Sequence, residues 1–173
     1  DFAASADLQA AFDVVGWDPR GVGRSSAVKC YEAPELDAFI FGLPQAPRGT
    51  QAWIDEVTQS SIDFGKACLE NTGELLQFID TQSTVHDLDM LRAVVGDPKL
   101  NYLGYSYGTA IGATYAAKFP GNIRAMVLDG SVSPSASVAD QAMVQATGFE
   151  RTLGNFVTTC DADKSCALAP DTA

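Results

Sequence analysis

The sequence predicts an α/β fold in which a parallel sheet forms the core and helices cover both faces. Three short apolar segments, rich in β-branched and aromatic residues, alternate with longer segments whose apolar residues recur at helical spacing. Strands separated by helices in this order favour parallel pairing through crossover connections. Because functional side chains of such sheets collect at the carboxyl ends of the strands, we expect the site there.

The first half of the chain contains one predicted strand and one long predicted helix. Residues 12–17 form a short β-rich run that ends at a turn of sequence Asp-Pro-Arg-Gly. Residues 25–49 hold three prolines and predict a long connection with one helical turn. From Thr50 to about residue 73, an apolar face at helical spacing predicts an amphipathic helix. The members of that face are Trp53, Val57, Phe64 and Cys68.

The middle of the chain supplies the other two strands, at residues 99–103 and 123–128. A helix capped by Ser83 or Thr84 leads into the first of them and is stopped by a glycine and a proline. Between the strands, residues 109–119 are dominated by small side chains. They predict a helix that lies close against the sheet.

Residues 138–160 predict a further helix, whose apolar side consists of Phe149, Leu153, Phe156 and Val157. Because the strand pattern does not resume after it, we interpret this helix as the beginning of an inserted lid. The predicted domains are a partial core over residues 1–137 and a lid segment over residues 138–173. The α/β core would then be truncated at both ends.

Ser106 is the candidate nucleophile. It is the centre of a G-Y-S-Y-G pentapeptide at residues 104–108, between a predicted strand and a predicted helix. In that setting a G-x-S-x-G serine lies on a sharp nucleophile elbow with its hydroxyl exposed. The two glycines leave room for neighbouring backbone in the tight turn. The flanking strand and helix make the prediction specific, since the pentapeptide alone occurs often by chance.

A serine hydroxyl needs a general base, and the sequence has a single histidine, His86, which precedes the serine. On folds with this turn the acid and the histidine follow the serine. Three interpretations stay open: His86 acts from an unusual place, the chain is part of a longer enzyme, or the chain is not catalytic. Asp129, at the end of a predicted strand, could be the acid, although a turn-capping role is favoured.

Composition limits the partners. The formal net charge of −11 and the isoelectric point near 4.3 argue against nucleic acid and anionic membranes as partners. No apolar run reaches the length of a membrane span, and we expect any signal peptide to have been removed or to lie outside these residues. We expect no cofactor and no metal, because no cysteine pair has C-x-x-C spacing and no histidine is near a cysteine.

The four cysteines allow three pairings. Cys160 and Cys166 bracket a polar turn and can close a local loop, which leaves Cys30 and Cys68 to tie the long connection to the helix that follows it. Two disulfides would imply an oxidising location, so we predict a secreted or extracytoplasmic protein. Four buried free thiols in a cytosolic protein are the alternative.

Three segments, residues 16–25, 102–109 and 126–130, together resemble the secreted tripeptidyl aminopeptidases and proline iminopeptidase-like enzymes among the α/β-hydrolases. The resemblance implies an α/β-hydrolase fold and a serine exopeptidase that cleaves short peptides from free N-termini. Ser106 would attack the scissile carbonyl, and the backbone amide of Tyr107 would donate to the oxyanion. The family's His-Gly-Gly-Pro-Gly loop has no match in this sequence, nor have the acid and histidine that follow the lid.

The resemblance therefore implies part of an exopeptidase, inactive by itself. Its partners would be a peptide or small acyl substrate and the remainder of its own parent chain. An esterase or lipase of the same fold is one alternative, which would need a lid that accepts acyl chains rather than an ammonium group. A non-catalytic remnant or binding module is the other.

Charged and aromatic residues near these motifs have two interpretations each. Asp18, Arg20 and Arg24 are expected to brace the loop after the first strand by charge-assisted hydrogen bonds, and an arginine that binds a substrate carboxylate is the alternative. Tyr105 and Tyr107 are either walls of an acyl pocket or packing residues beside the serine, and the two roles can coexist.

Overall fold

A computed structural model describes residues 5–133 and 135–168. The chain divides into two compact units, one that ends at Met90 and one that begins at Leu91. The α-helices are α1 (Ala6–Ala11), α2 (Ala33–Phe41), α3 (Gln51–Thr72), α4 (Thr81–Val94), α5 (Tyr107–Lys118) and α6 (Val138–Ala162), and the strands are β1 (Leu100–Tyr105) and β2 (Ile123–Asp129). Short 3₁₀ helices cover Gly73–Phe78 and Pro120–Asn122. The predicted domain boundary at residues 137 and 138 stays a prediction.

Helix α3 has the two ends that the sequence predicts. The Thr50 side chain accepts a hydrogen bond from the backbone N–H of Trp53 at 3.2 Å, which satisfies one of the donors exposed at the helix start. At the other end Gly73 has a φ of 68°, a positive value that glycine adopts without steric cost. The prediction of a long amphipathic helix is confirmed.

Helix α2 corrects the prediction of a single helical turn within residues 25–49. Its proline occupies the first turn, where a missing N–H costs no hydrogen bond. Glu32 and Glu35 form a reciprocal capping box at the same end. The rings of Phe39 and Phe64 stack at 4.2 Å between centroids and join α2 to α3. Capping and aromatic packing therefore extend the helix to nine residues.

Helix α4 begins earlier than the predicted caps Ser83 and Thr84. The carboxylate of Asp80 accepts hydrogen bonds from the N–H and the hydroxyl of Ser83, each at 2.8 Å, so Asp80 acts as the cap. These bonds lower the pKa of Asp80, and the bond from the backbone N–H has the largest effect. Val85 and Leu88 of this helix are buried.

The predicted strand at residues 12–17 is wrong. These residues have no regular secondary structure, and the described part of their unit contains no named strand. Phe12, Val14 and Val15 are 40%, 59% and 63% exposed. A strand forms only when a neighbour supplies its ladder of hydrogen bonds, and β propensity alone does not provide one.

The second unit is built around β1 and β2, which pair in parallel from Leu100 opposite Ile123 to Tyr105 opposite Asp129. Helix α5 connects the strands and packs against both. Its buried residues are Thr109, Ala110, Ile111, Gly112 and Tyr115. A Cβ on Gly112 would lie 2.5 Å from Leu128 Cδ2, so the small side chains do permit close contact with the sheet. The last two predicted strands and the helix between them are confirmed.

Helix α6 confirms the helical prediction for residues 138–160. Ser137 caps it by accepting a hydrogen bond from the N–H of Asp140 at 3.1 Å. Phe149, Leu153 and Phe156 on its apolar side are 68%, 56% and 49% exposed. The interpretation of this segment as a lid stays a prediction, and its last five residues, 169–173, lie outside the described residues, as do residues 1–4.

The predicted cysteine pairing is confirmed, since Cys30 is bonded to Cys68 and Cys160 to Cys166. We expect the first disulfide to stabilise the protein more, because it closes a separation of 38 residues against 6. Loop-closure entropy predicts losses of about 4 and about 2 kcal/mol for C30S/C68S and C160S/C166S. Urea denaturation of the full-length gene product measures both. A larger loss from the short-loop pair would contradict the ranking.

Candidate active site

Ser106 lies at the turn between the carboxyl end of β1 and the start of α5, as predicted. Its φ and ψ are 50° and −118°. Within the described residues it is the only non-glycine residue with a positive φ. Its side chain makes no capping hydrogen bond to α5, although serine at this position commonly does. The residue is exposed, so the turn presents its hydroxyl instead of using it for capping.

A positive φ costs a non-glycine residue about 1–3 kcal/mol, and it persists only where the surroundings hold it. Three hydrogen bonds hold the backbone of Ser106. Its N–H donates to the C=O of Asp129 at 3.0 Å, which ties the turn to the end of β2. Its C=O accepts from the backbone N–H of Thr109 at 2.9 Å and from the Thr109 hydroxyl at 2.6 Å.

The Tyr102 ring fills the space that Gly104 and Gly112 leave beside the turn. A Cβ on Gly104 would lie 2.6 Å from both Tyr102 Cε1 and the Gly108 carbonyl oxygen. On Gly112 it would lie 2.8 Å from the same ring carbon, and on Gly108 3.5 Å from the phenol oxygen. Gly104 of the pentapeptide thus admits an aromatic ring as well as backbone, whereas a Cβ on Gly108 would make only an ordinary contact.

The phenol of Tyr102 donates a hydrogen bond to the Gly108 C=O at 2.8 Å. Burial, and secondarily the nearby Tyr107, raise the pKa of Tyr102 to about 12. The hydroxyl therefore stays protonated and able to donate at neutral pH. Sequence reasoning missed both Tyr102 and Thr109 as supports, although both fall in the segment 102–109 that carries the family resemblance.

The other candidate residues of the site are all exposed. Asp129 contacts Ser106 through its backbone carbonyl and is itself exposed, so its role as acid or turn cap stays a prediction. Tyr105 and Tyr107 flank Ser106 and are 48% and 54% exposed. His86 is exposed on α4 and belongs to the first unit, whereas Ser106 belongs to the second.

The bracing predicted for the loop after residue 17 is confirmed in part, with a partner that the sequence did not indicate. Arg20 forms a two-bond ion pair with Asp87 on α4, at 2.7 and 2.8 Å. The Asp18 carboxylate accepts the backbone N–H of Arg24 at 2.8 Å. The separation of 67 residues between Arg20 and Asp87 explains why no local pattern predicts their contact. The alternative role for an arginine, binding a substrate carboxylate, stays a prediction.

Neither a metal cluster nor a membrane-spanning helix occurs in the described part of the chain. No group of three or more His, Cys, Asp or Glu residues within residues 5–133 and 135–168 could hold a metal ion. No helix described by the structure is long and apolar enough to cross a membrane.

The family follows from this fold and from a direct comparison. A family model described as the alpha/beta hydrolase fold matches residues 3–172. The chain belongs to the α/β-hydrolase family. The fold class predicted from the sequence is thereby confirmed, and the strand-to-helix turn of Ser106 is the position at which this fold carries its G-x-S-x-G serine.

Three curated relatives show how far the similarity extends. Serine protease Hip1 of Mycobacterium tuberculosis is 38% identical over 164 residues, which are 94% of this chain and 31% of that protein. Tripeptidyl aminopeptidase of Streptomyces lividans is 41% identical over 135 residues, 77% of this chain and 24% of that protein. Carboxylesterase B of M. tuberculosis is 37% identical over 172 residues, which are 98% of this chain and 33% of that protein. The chain spans about a third or less of the length of these relatives.

We expect Gly104→Ala to destabilise the protein by roughly 1–3 kcal/mol, because its Cβ would overlap backbone and the Tyr102 ring. Gly148→Ala on α6 is the matched control, since nothing lies within 4 Å of the added carbon. Alanine is the better helix former, and this variant should be stabilised by up to about 1 kcal/mol. Denaturant unfolding compares the two in the full-length gene product. Equal effects would contradict the close packing described here.

Proposed function

We propose that Ser106 is the nucleophile of a serine exopeptidase that releases short peptides from free N-termini. The observation that carries the proposal is the strained, exposed serine at the strand-to-helix turn, with its side chain withheld from capping α5. The names of two relatives, a serine protease and a tripeptidyl aminopeptidase, favour a peptide substrate.

In this mechanism Ser106 Oγ attacks the scissile carbonyl while a general base takes its proton. The carbonyl oxygen becomes an oxyanion, and the backbone N–H of Tyr107 donates a hydrogen bond to it. The N–H of Ser106 is used by Asp129, so the following residue supplies the donor. The base then protonates the leaving amine, and water hydrolyses the acyl-enzyme.

The base and the acid are proposed to come from parts of the full-length gene product other than these 173 residues. The one histidine here precedes the serine, whereas the acid and histidine follow it on this fold. The curated relatives are about three to four times as long as the aligned region. His86 is the alternative base.

Residues 138–173 are proposed to begin a lid over the site, on a core formed by residues 1–137. The apolar residues exposed on α6 support a covering role. Residues contributed by the rest of the lid would select the substrate. A lid that binds the ammonium of a free N-terminus would carry carboxylates.

The second candidate function is ester hydrolysis, which one observation favours. Carboxylesterase B is similar over 98% of this chain, a larger share than the tripeptidyl aminopeptidase covers. The same serine turn serves both reactions, since each passes through an acyl-enzyme. The two functions differ in the group that the lid accepts.

A secreted or extracytoplasmic location is proposed on the strength of the two disulfides. Disulfides form and persist in oxidising compartments and are rare in cytosolic proteins. All four cysteines of the sequence are paired. Thiol titration of denatured protein purified from its source should find no free thiol.

Hydrolysis assays on the full-length gene product test the proposed function. We expect turnover of a tripeptidyl p-nitroanilide with a free amine and little turnover of its N-acetyl form or of p-nitrophenyl butyrate. Ser106→Ala should lower kcat by roughly 10⁴-fold or more. Ser60→Ala, at an exposed serine on α3, is the control and should keep full activity. Turnover of the ester alone would support the second candidate, and an active Ser106→Ala variant would exclude Ser106.

Residues 1–173 by themselves should neither hydrolyse these substrates nor react with a fluorophosphonate probe. Without its base and acid a serine hydrolase keeps only a small part of its acceleration, about 10³–10⁴-fold over water, and that part depends on an intact oxyanion hole. Reactivity of the isolated residues that is lost in both Ser106→Ala and His86→Ala would contradict the proposal and make His86 the base.

A further inference from the structure

The Thr109 hydroxyl bridges two backbone groups beside Ser106. It donates to the Ser106 C=O at 2.6 Å and accepts the backbone N–H of Val132 at 2.8 Å. The residue is 1% exposed, so water does not readily replace either bond. One hydroxyl carries one proton, and here it serves as donor and acceptor at once.

We propose that Thr109 is the positioning residue that orients the oxyanion donor of this site. The inference rests on the proposed function of Ser106 and Tyr107. A peptide unit is planar and trans, so the C=O of Ser106 and the N–H of Tyr107 belong to one rigid plane and point in opposite directions. A hydroxyl that holds the C=O on one side therefore fixes the direction of the Tyr107 N–H on the other.

The backbone bonds alone leave this plane less constrained. The Ser106 N–H, which is bonded to the Asp129 C=O, belongs to the preceding peptide unit. It therefore does not set the ψ angle of Ser106, which orients the plane that contains the Tyr107 N–H. The Thr109 N–H also bonds the Ser106 C=O, at 2.9 Å, but it comes from the same helical turn and moves with it. The hydroxyl adds a link to Val132, on the segment that follows β2. It thereby holds the plane against a second element.

Oxyanion donors act on the charge that develops in the transition state, so a misaimed donor lowers kcat and changes KM little. For Thr109→Val, which keeps the shape and removes the hydroxyl, we expect kcat to fall roughly 10- to 100-fold. KM should stay within about twofold, since ground-state binding does not use the oxyanion donor. Thr109→Ser restores the hydroxyl and should return kcat to within about threefold of wild type.

Thr114→Val is the matched control on the same helix. The Thr114 hydroxyl donates to the Ala110 C=O at 2.7 Å, within α5. This variant removes a threonine hydroxyl from the same helix without changing the turn at Ser106. Its kcat should equal that of the wild type. If Thr109→Val does not fold, Thr109→Cys replaces it, because the thiol keeps similar volume and donates weakly. Its kcat should then lie between those of wild type and Ser106→Ala.

The assay uses the full-length gene product and the substrate that it turns over, with kcat and KM measured separately. A wild-type kcat in Thr109→Val would overturn the inference while the proposed function stood. So would a Thr109→Ser variant as slow as Thr109→Val, or a loss carried by KM. If Ser106→Ala keeps the activity, the proposed function fails and the role of Thr109 fails with it.

Discussion

The backbone of Ser106 is the constraint on which the second unit depends. Its φ of 50° is unfavourable for a serine, and the compensation comes from hydrogen bonds on both sides of the residue. Asp129 accepts the N–H, and Thr109 donates twice to the C=O. These bonds require the ends of β1 and β2 to coincide, which the register of Tyr105 opposite Asp129 provides. Strand pairing, the start of α5 and the exposed hydroxyl are therefore aspects of one arrangement.

Close packing makes that arrangement possible. Helix α5 approaches the sheet on a face of small residues, and the ring of Tyr102 occupies the space left by Gly104 and Gly112. The phenol then finds a partner in the Gly108 carbonyl, so burial of the ring leaves no unsatisfied hydroxyl. Gly104, the first glycine of the G-x-S-x-G motif, consequently has a packing function in addition to its place in the tight turn. A single methyl group added at Gly104 would therefore overlap its neighbours in the turn.

The sequence predicts most of this architecture because the signals are local. Helix α3 has a threonine cap and a glycine stop, and the segment from β1 to β2 has alternating strand and helix patterns. The failures depend mainly on partners elsewhere. Residues 12–17 have β propensity without a neighbouring strand in the described part of their unit. Helix α2 gains its length partly from the stacking of Phe39 on Phe64, and partly from its own capping residues, a local signal that the prediction missed. Ser106 is predictable from its motif, whereas the bond from Thr109 to Val132, 23 residues away, follows only from the fold.

Mapping a covalent adduct shows whether Ser106 is the reactive serine. The full-length gene product is treated with a fluorophosphonate, digested with trypsin and analysed by tandem mass spectrometry. Cleavage after Lys99 and Lys118 yields residues 100–118, whose one serine is Ser106. We expect a single phosphonylated peptide, modified at that serine. An adduct on another serine, or no adduct on a protein that hydrolyses its substrate, would contradict this expectation.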